Sequence, residues 1–126
     1  MTTLREIMTR EVFTTPGEAP VAEVAASMLK GRVGSAVVMQ GPMVMGIFTE
    51  RDVLRAAASG ADLTASPVSE WMTTDPVTAD PATDADDAAE IMLSHGFRHL
   101  PVLEGNTVAG IVSLRDILAM RIGRPR

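Results

Sequence analysis

The run Gly46-Ile47-Phe48-Thr49-Glu50-Arg51-Asp52 returns later in the chain as Gly110-Ile111-Val112-Ser113-Leu114-Arg115-Asp116, at an offset of 116 − 52 = 64 residues. Nothing constrains the fold more. The same offset carries Met8-Thr9 onto Met72-Thr73, Thr14 onto Thr78, and Ala25, Met28 and Leu29 onto Ala89, Met92 and Leu93. It also carries Val38, Gly41 and Val44 onto Val102, Gly105 and Val108, and Leu54 onto Leu118. Between 8–56 and 72–120, 14 positions match without a gap, against roughly three for sequences of average composition. One unit is written twice, and each copy is too small to bury both faces of a sheet alone.

Within the first copy, Leu4 to Met8 reads as a short helical lead-in. Val12-Phe13-Thr14-Thr15 is β-branched or aromatic throughout and predicts a brief strand, broken by Pro16-Gly17. Pro20 suits the start of a helix. Val21, Val24, Ala25, Met28 and Leu29 then follow at helical spacing on one apolar face, up to Gly31. Ser35 to Met39 predicts a buried strand, Gln40-Gly41-Pro42 a turn, and Met43 to Thr49 the return strand. Glu50 to Ala58 completes the unit as a second helix, so its order is strand, helix, strand, strand, helix. The second copy opens its first helix with Asp84-Ala85-Asp86-Asp87, where acids favour the macrodipole. The expected class is α/β (α+β), two β-α-β-β-α repeats about a pseudo-twofold axis. The first repeat with its lead-in helix takes 1–60, a linker of small and polar residues 61–70, and the second repeat 71–126.

Composition narrows the function. Lys plus Arg against Asp plus Glu gives 11 − 16 = −5, and an acidic balance argues against a nucleic-acid partner. The absence of cysteine rules out disulfides and thiolate metal sites and fits a reducing, cytoplasmic setting. The first residues carry charges where a signal peptide needs an apolar run, and no stretch approaches a membrane span. His95 and His99 are four apart, but Gly96 breaks the helix between them and no third ligand is evident, so no metal is expected. No nucleophile–base set or glycine-rich phosphate loop points to an enzyme.

Two copies of this unit, each opening on Met-Thr and closing on Gly-Ile-x-Thr/Ser-x-x-Asp, resemble the cystathionine-β-synthase (CBS) domain over roughly residues 4 to 122. Trp71-Met72-Thr73-Thr74-Asp75-Pro76-Val77-Thr78 and His99-Leu100-Pro101-Val102 are typical of it. A tandem pair is a Bateman module. The resemblance implies a stand-alone regulatory binding module rather than an enzyme. It implies AMP, ADP, ATP, S-adenosylmethionine or sometimes NAD as ligand in clefts between the repeats, pairing into a homodimer, and an unidentified effector protein. No cofactor is implied beyond that regulatory ligand.

The residues themselves leave two readings open. Asp52 and Asp116 can each accept hydrogen bonds from both hydroxyls of a ribose, with Thr49 or Ser113 and the first helical N–H groups facing a phosphate. Thr/Ser with an acid three residues on is also a capping box, which any helix can use. Arg51 and Arg115 either meet phosphate or sit exposed in a first helical turn. Phe13 and Val77, and Val33 and Phe97, either line an adenine slot or pack the core. Gly34-Ser35 in the first repeat stands where the second has Arg98-His99. The set Phe97, Arg98, His99, Ser113 and Asp116 is therefore expected to prefer the more highly charged ligand. Val37 replaces the proline found at Pro101, and Trp71 stands where the first repeat has Ile7. Both put the first pocket's ligand in doubt, and both are candidate dimer-surface residues. Met39, Met43 and Met45 are expected in the core, and the tail Arg121 to Arg126 as a solvated basic helix end.

Overall fold

The computed structural model describes residues 1–123. Of the basic tail, residues 124–126 lie outside the described residues. The chain forms two compact units that interleave along the sequence. A contiguous unit is Phe13–Pro76, and a split unit joins Met1–Val12 to Val77 and the residues after it.

The contiguous unit holds β1 (Thr14–Pro16), α2 (Val21–Gly31), β2 (Ser35–Gln40), β3 (Met43–Thr49), α3 (Glu50–Ala58) and β4 (Thr73–Thr74); α1 (Leu4–Ile7) precedes them in the other unit. Its sheet runs β1-β2-β3-β4, with β1 parallel to β2 and the remaining pairs antiparallel. The split unit holds α1, α4 (Ala85–His95), β5 (His99–Glu104), β6 (Thr107–Ser113) and α5 (Leu114–Arg121). Its two-stranded sheet β5-β6 is flanked by a parallel bridge at Ala79–Val102 and an antiparallel one at Thr9–Ile111. Those bridges stand where β1 and β4 stand in the other unit.

The opening strand lies at Thr14–Pro16 rather than over Val12 to Thr15. Its weaker counterpart has a chemical cause. Val37 N–H donates to the Phe13 carbonyl at 2.9 Å, and Pro101, which has no N–H, cannot make the matching bond to Val77. One sequence difference thus reduces a three-residue strand to a single bridge.

The Met-Thr arm that opens each repeat pairs with the return strand of the other repeat. Thr73 and Thr74 lie against Ile47 and Gly46 on β3, and Thr9 lies against Ile111 on β6. A methyl group on Gly46 would sit 2.5 Å from the Thr73 carbonyl oxygen and 2.8 Å from the Met72 sulfur. On Gly110 it would sit 2.7 Å from the Met8 sulfur and 2.8 Å from the Thr9 carbonyl oxygen. Both glycines are there for clearance.

The stretch 61–70, expected as a linker, is part of the contiguous unit. Ser66 and Leu63 carbonyls accept the Val21 and Ala22 N–H groups at 2.9 Å each, which satisfies donors that Pro20 cannot cap. Val68 begins a 3-10 turn, Val68–Glu70, and is fully buried. The Thr64 hydroxyl and N–H both donate to Asp62, at 2.7 and 3.1 Å, and hold its carboxyl below the ordinary range. In the split unit Thr2 plays the part of Ser66, accepting from Ala85 N–H at 2.8 Å, and Leu4 plays the part of Val68.

The two cores use equivalent positions with exchanged volumes. Val21, Val24, Met28, Ala36, Val38, Phe48 and Val68 fill one. Ala85, Ala88, Met92, Leu100, Val102, Val112 and Leu4 fill the other, with Ile7, Met8 and Ile117 added. Where the first has Ala36 beside Phe48, the second has Leu100 beside Val112 (partners in antiparallel register). Close packing is kept by trading bulk across a strand pair.

Not every periodic apolar residue is inside. Leu29, Leu54, Leu93 and Leu118 are between 60% and 82% exposed, so each unit shows solvent two leucines at matched positions. Met43, expected in the core, is exposed because it starts β3 beside the Gly41 turn, while Met39 and Met45 are half-buried. Trp71, a candidate dimer-surface residue, is half-buried and packs against the core of its own unit.

Helix α2 ends on Gly31, but the left-handed position beyond it falls on Arg32, φ 56°. Its counterpart after α4 is Gly96, φ 76°. Left-handed backbone costs a residue with a Cβ roughly 1–2 kcal/mol. Arg32→Gly is therefore expected to stabilise the chain by about 1 kcal/mol after the added freedom of the unfolded chain is offset. Thermal denaturation should show a rise of roughly 3–6 °C.

Candidate functional site

The thirteen candidate residues divide cleanly between the units: Phe13, Val33, Ser35, Thr49, Arg51 and Asp52 in one, Val77, Phe97, Arg98, His99, Ser113, Arg115 and Asp116 in the other. In each, a return strand runs straight into a helix. The turn is pinned from the neighbouring strand's entry: Gly34 carbonyl accepts Glu50 N–H at 3.1 Å, and Arg98 carbonyl accepts Leu114 N–H at 2.9 Å. Antiparallel register puts Ser35 beside Thr49 and His99 beside Ser113.

Both turns are capping boxes, so the two readings of the motif meet in the same atoms. What differs is how much of each carboxylate the protein uses. Asp52 is only 5% exposed. Its Oδ2 accepts from the Thr49 N–H at 2.9 Å and the Thr49 hydroxyl at 3.3 Å. Its Oδ1 accepts from Arg55 Nη1 at 2.8 Å. Arg55 in turn lies 5.7 Å from the centre of the Trp71 ring and donates to the Trp71 carbonyl at 3.4 Å. The Trp71 Nε1–H is buried and has no hydrogen-bond partner among the described residues. Ser35 is buried, Phe13 half-buried against the core, and Val33 and Arg51 are exposed.

Asp116 is half-buried. Its Oδ2 accepts from Ser113 N–H at 3.1 Å, and the Ser113 hydroxyl accepts from Asp116 N–H at 3.0 Å. The turn thus holds this carboxylate through Oδ2, whereas Asp52 is held through both oxygens. Arg98 and Arg115 are exposed, and Val77 stands open where Pro101 leaves its carbonyl without the β-bridge bond. Phe97 packs half-buried on the core with its ring 5.4 Å from that of His95. The second turn therefore offers a half-buried carboxylate, with exposed Arg115 in the helix's first turn and exposed Arg98 on the segment whose carbonyl holds that turn. That combination suits a polar diol joined to an anion. An open hollow of about 520 Å³ elsewhere in the split unit is lined by Arg5, Glu6, Met8, Thr9, Arg10 and Glu11, none of them a candidate.

Arg55 and Trp71 are the residues that motif reasoning passed over as site groups. Arg55 aligns with Ala119 and Trp71 with Ile7, so a search for what recurs discards both. The signal was in what fails to recur beside a recurring acid.

Two repeated strand-and-helix units, each closing on a hydroxyl-and-acid turn, define a duplicated α/β module. The chain belongs to the CBS-domain family, whose model matches residues 4–59 and 68–123. It is 35% identical over 118 residues to the CBS domain-containing protein YhcV of Bacillus subtilis, covering 93% of this chain and 84% of that one. It is similar to a CBS domain protein of Pyrobaculum aerophilum solved in complex with AMP, with TM-score 0.85, 30% identity, and coverage of 97% and 99% of the two chains. A hexameric CBS-CP12 protein of bloom-forming cyanobacteria matches with TM-score 0.88, 30% identity, and coverage of 100% and 76%.

Proposed function

We propose that this chain is a regulatory module that senses an adenine nucleotide or a related adenosyl compound and passes its occupancy to a partner protein. The observation that carries the reading is Asp116, half-buried and held by its turn through Oδ2, on a turn that bears exposed Arg115 and is bonded to the backbone of exposed Arg98. A ribose diol supplies donors to that carboxylate, and a phosphate suits the guanidinium groups. The Pyrobaculum relative's AMP supports the ligand class. AMP, ADP, ATP and S-adenosylmethionine share the adenosyl part, and their charge separates them. Ligand binding acts by favouring one arrangement of the chain over another, by no more than its differential affinity for the two.

We also assign self-association to the faces that carry Leu29, Leu54, Leu93 and Leu118, since repeated exposed leucines favour burial against a copy of themselves. A hexameric relative supports assembly in the family. The second reading is a ligand-free dimerisation module whose acids serve only as caps, favoured by the completed capping boxes.

Thermal denaturation with AMP, ATP and S-adenosylmethionine separates the two. At ~100 times the dissociation constant a ligand adds about 2.7 kcal/mol of stability, which raises Tm by several degrees. An unchanged Tm with all three, and no heat on calorimetric titration, leaves the dimerisation module. Arg98→Ala is expected to weaken ATP about fivefold, the value of ~1 kcal/mol for a solvent-screened charged hydrogen bond. AMP should change less, and equal loss for both would remove Arg98 from the phosphate.

A further inference from the structure

The two acids share a motif and a backbone turn but not their surroundings. Asp52 is engaged from three sides: the Thr49 N–H, the Thr49 hydroxyl and the Arg55 guanidinium account for both oxygens, and 5% exposure leaves no approach for two more hydroxyl groups. A carboxylate offers about four acceptor positions, so a diol needs both free sides of the group. Arg55 is exposed over about half of its side chain (56%) but anchored on the Asp52 side. Its side chain is held over the Trp71 ring and against the Trp71 carbonyl, so it is positioned before any ligand arrives. The second unit has no such device, because Ala119 occupies the place of Arg55 and Ile7 that of Trp71.

We infer that the first repeat's nucleoside position is closed by its own Arg55, and that Arg55 is the residue that sets how many ligands the chain takes. On the reading proposed above, which this rests on, the protein binds one nucleotide, at Ser113 and Asp116. Removing the guanidinium opens a second position at Thr49 and Asp52. Asymmetry between duplicated halves would then be a built-in choice of one occupied position over two.

The test is stoichiometry by calorimetric titration with AMP and with ATP, on the whole chain. Wild type is expected to take one nucleotide per chain, and Asp116→Glu to weaken that binding at least tenfold. Arg55→Ala, which copies the second repeat, is expected to take two; Arg55→Met keeps an apolar stem over Trp71 and does the same if the alanine variant folds poorly. Adding Asp52→Asn to either should return the count to one. Two nucleotides on wild type, or one on both Arg55 variants with native circular dichroism, overturns the lock while leaving nucleotide sensing in place. No binding by wild type or by either Arg55 variant removes the sensing reading itself, and the lock with it.

Discussion

Gly46→Ala and Gly110→Ala are each expected to destabilise the chain by about 2–3 kcal/mol, the upper range for forcing a methyl into a filled space. The corresponding fall in Tm is roughly 10 °C. Neither glycine has a backbone angle that demands glycine, so the cost is steric. At Gly46 the obstacle is a main-chain carbonyl, which cannot turn aside without breaking the β3–β4 ladder at Gly46–Thr74 and Ile47–Thr73. At Gly110 the Met8 sulfur can move, but the Thr9 carbonyl at 2.8 Å is tied in reciprocal hydrogen bonds to Ile111. The alanine variants should release the arms, and trypsin should cut Gly110→Ala at Arg10 well before the rest of the chain. Wild-type melting and an uncut Arg10 would show that the glycines answer to something other than the arms.

Asp116→Glu should separate capping from ligand binding, because a capping box ordinarily takes glutamate in that position. The longer side chain still reaches the Ser113 N–H, so Tm is expected to stay within about 1–2 °C. The carboxylate moves by one methylene, however, and a diol held by both hydroxyls loses its geometry; AMP affinity should fall at least tenfold, about 1.4 kcal/mol. Wild type is also expected to prefer AMP to its 2′,3′-dideoxy analogue, and the glutamate variant to lose that preference. Intact binding with intact discrimination would make Asp116 a helix cap and nothing more.

The fold was open to sequence reasoning because duplication supplied an internal comparison. Gly46 aligned with Gly110 and Met28 with Met92, and helical and strand spacing did the rest. The interleaving was hidden. Thr73 gives no local sign that it pairs with Ile47 of the other repeat, since a two-residue strand has no period to read. Leu29 and Leu93 fit an apolar helical face and yet point to solvent, because spacing of three and four cannot mark where a stripe stops. At the site, the recurring acids and the contrast of Gly34-Ser35 with Arg98-His99 were legible, and the closing of Asp52 by Arg55 was not. Burial of Asp52 depends on Arg55 one turn along and on Trp71 sixteen residues further, a tertiary meeting of two residues that the second repeat lacks.

The split unit has a cost during synthesis. Leu4, Ile7 and Met8 leave the ribosome before the residues they pack on: Leu100, Val102 and Val112 are made about a hundred residues later, a wait on the order of ten seconds at usual elongation rates. The contiguous unit, by contrast, has every part in hand as soon as Pro76 emerges. The contiguous unit can therefore be complete while Leu4, Ile7 and Met8 are still unshielded, where chaperones or proteases can meet them.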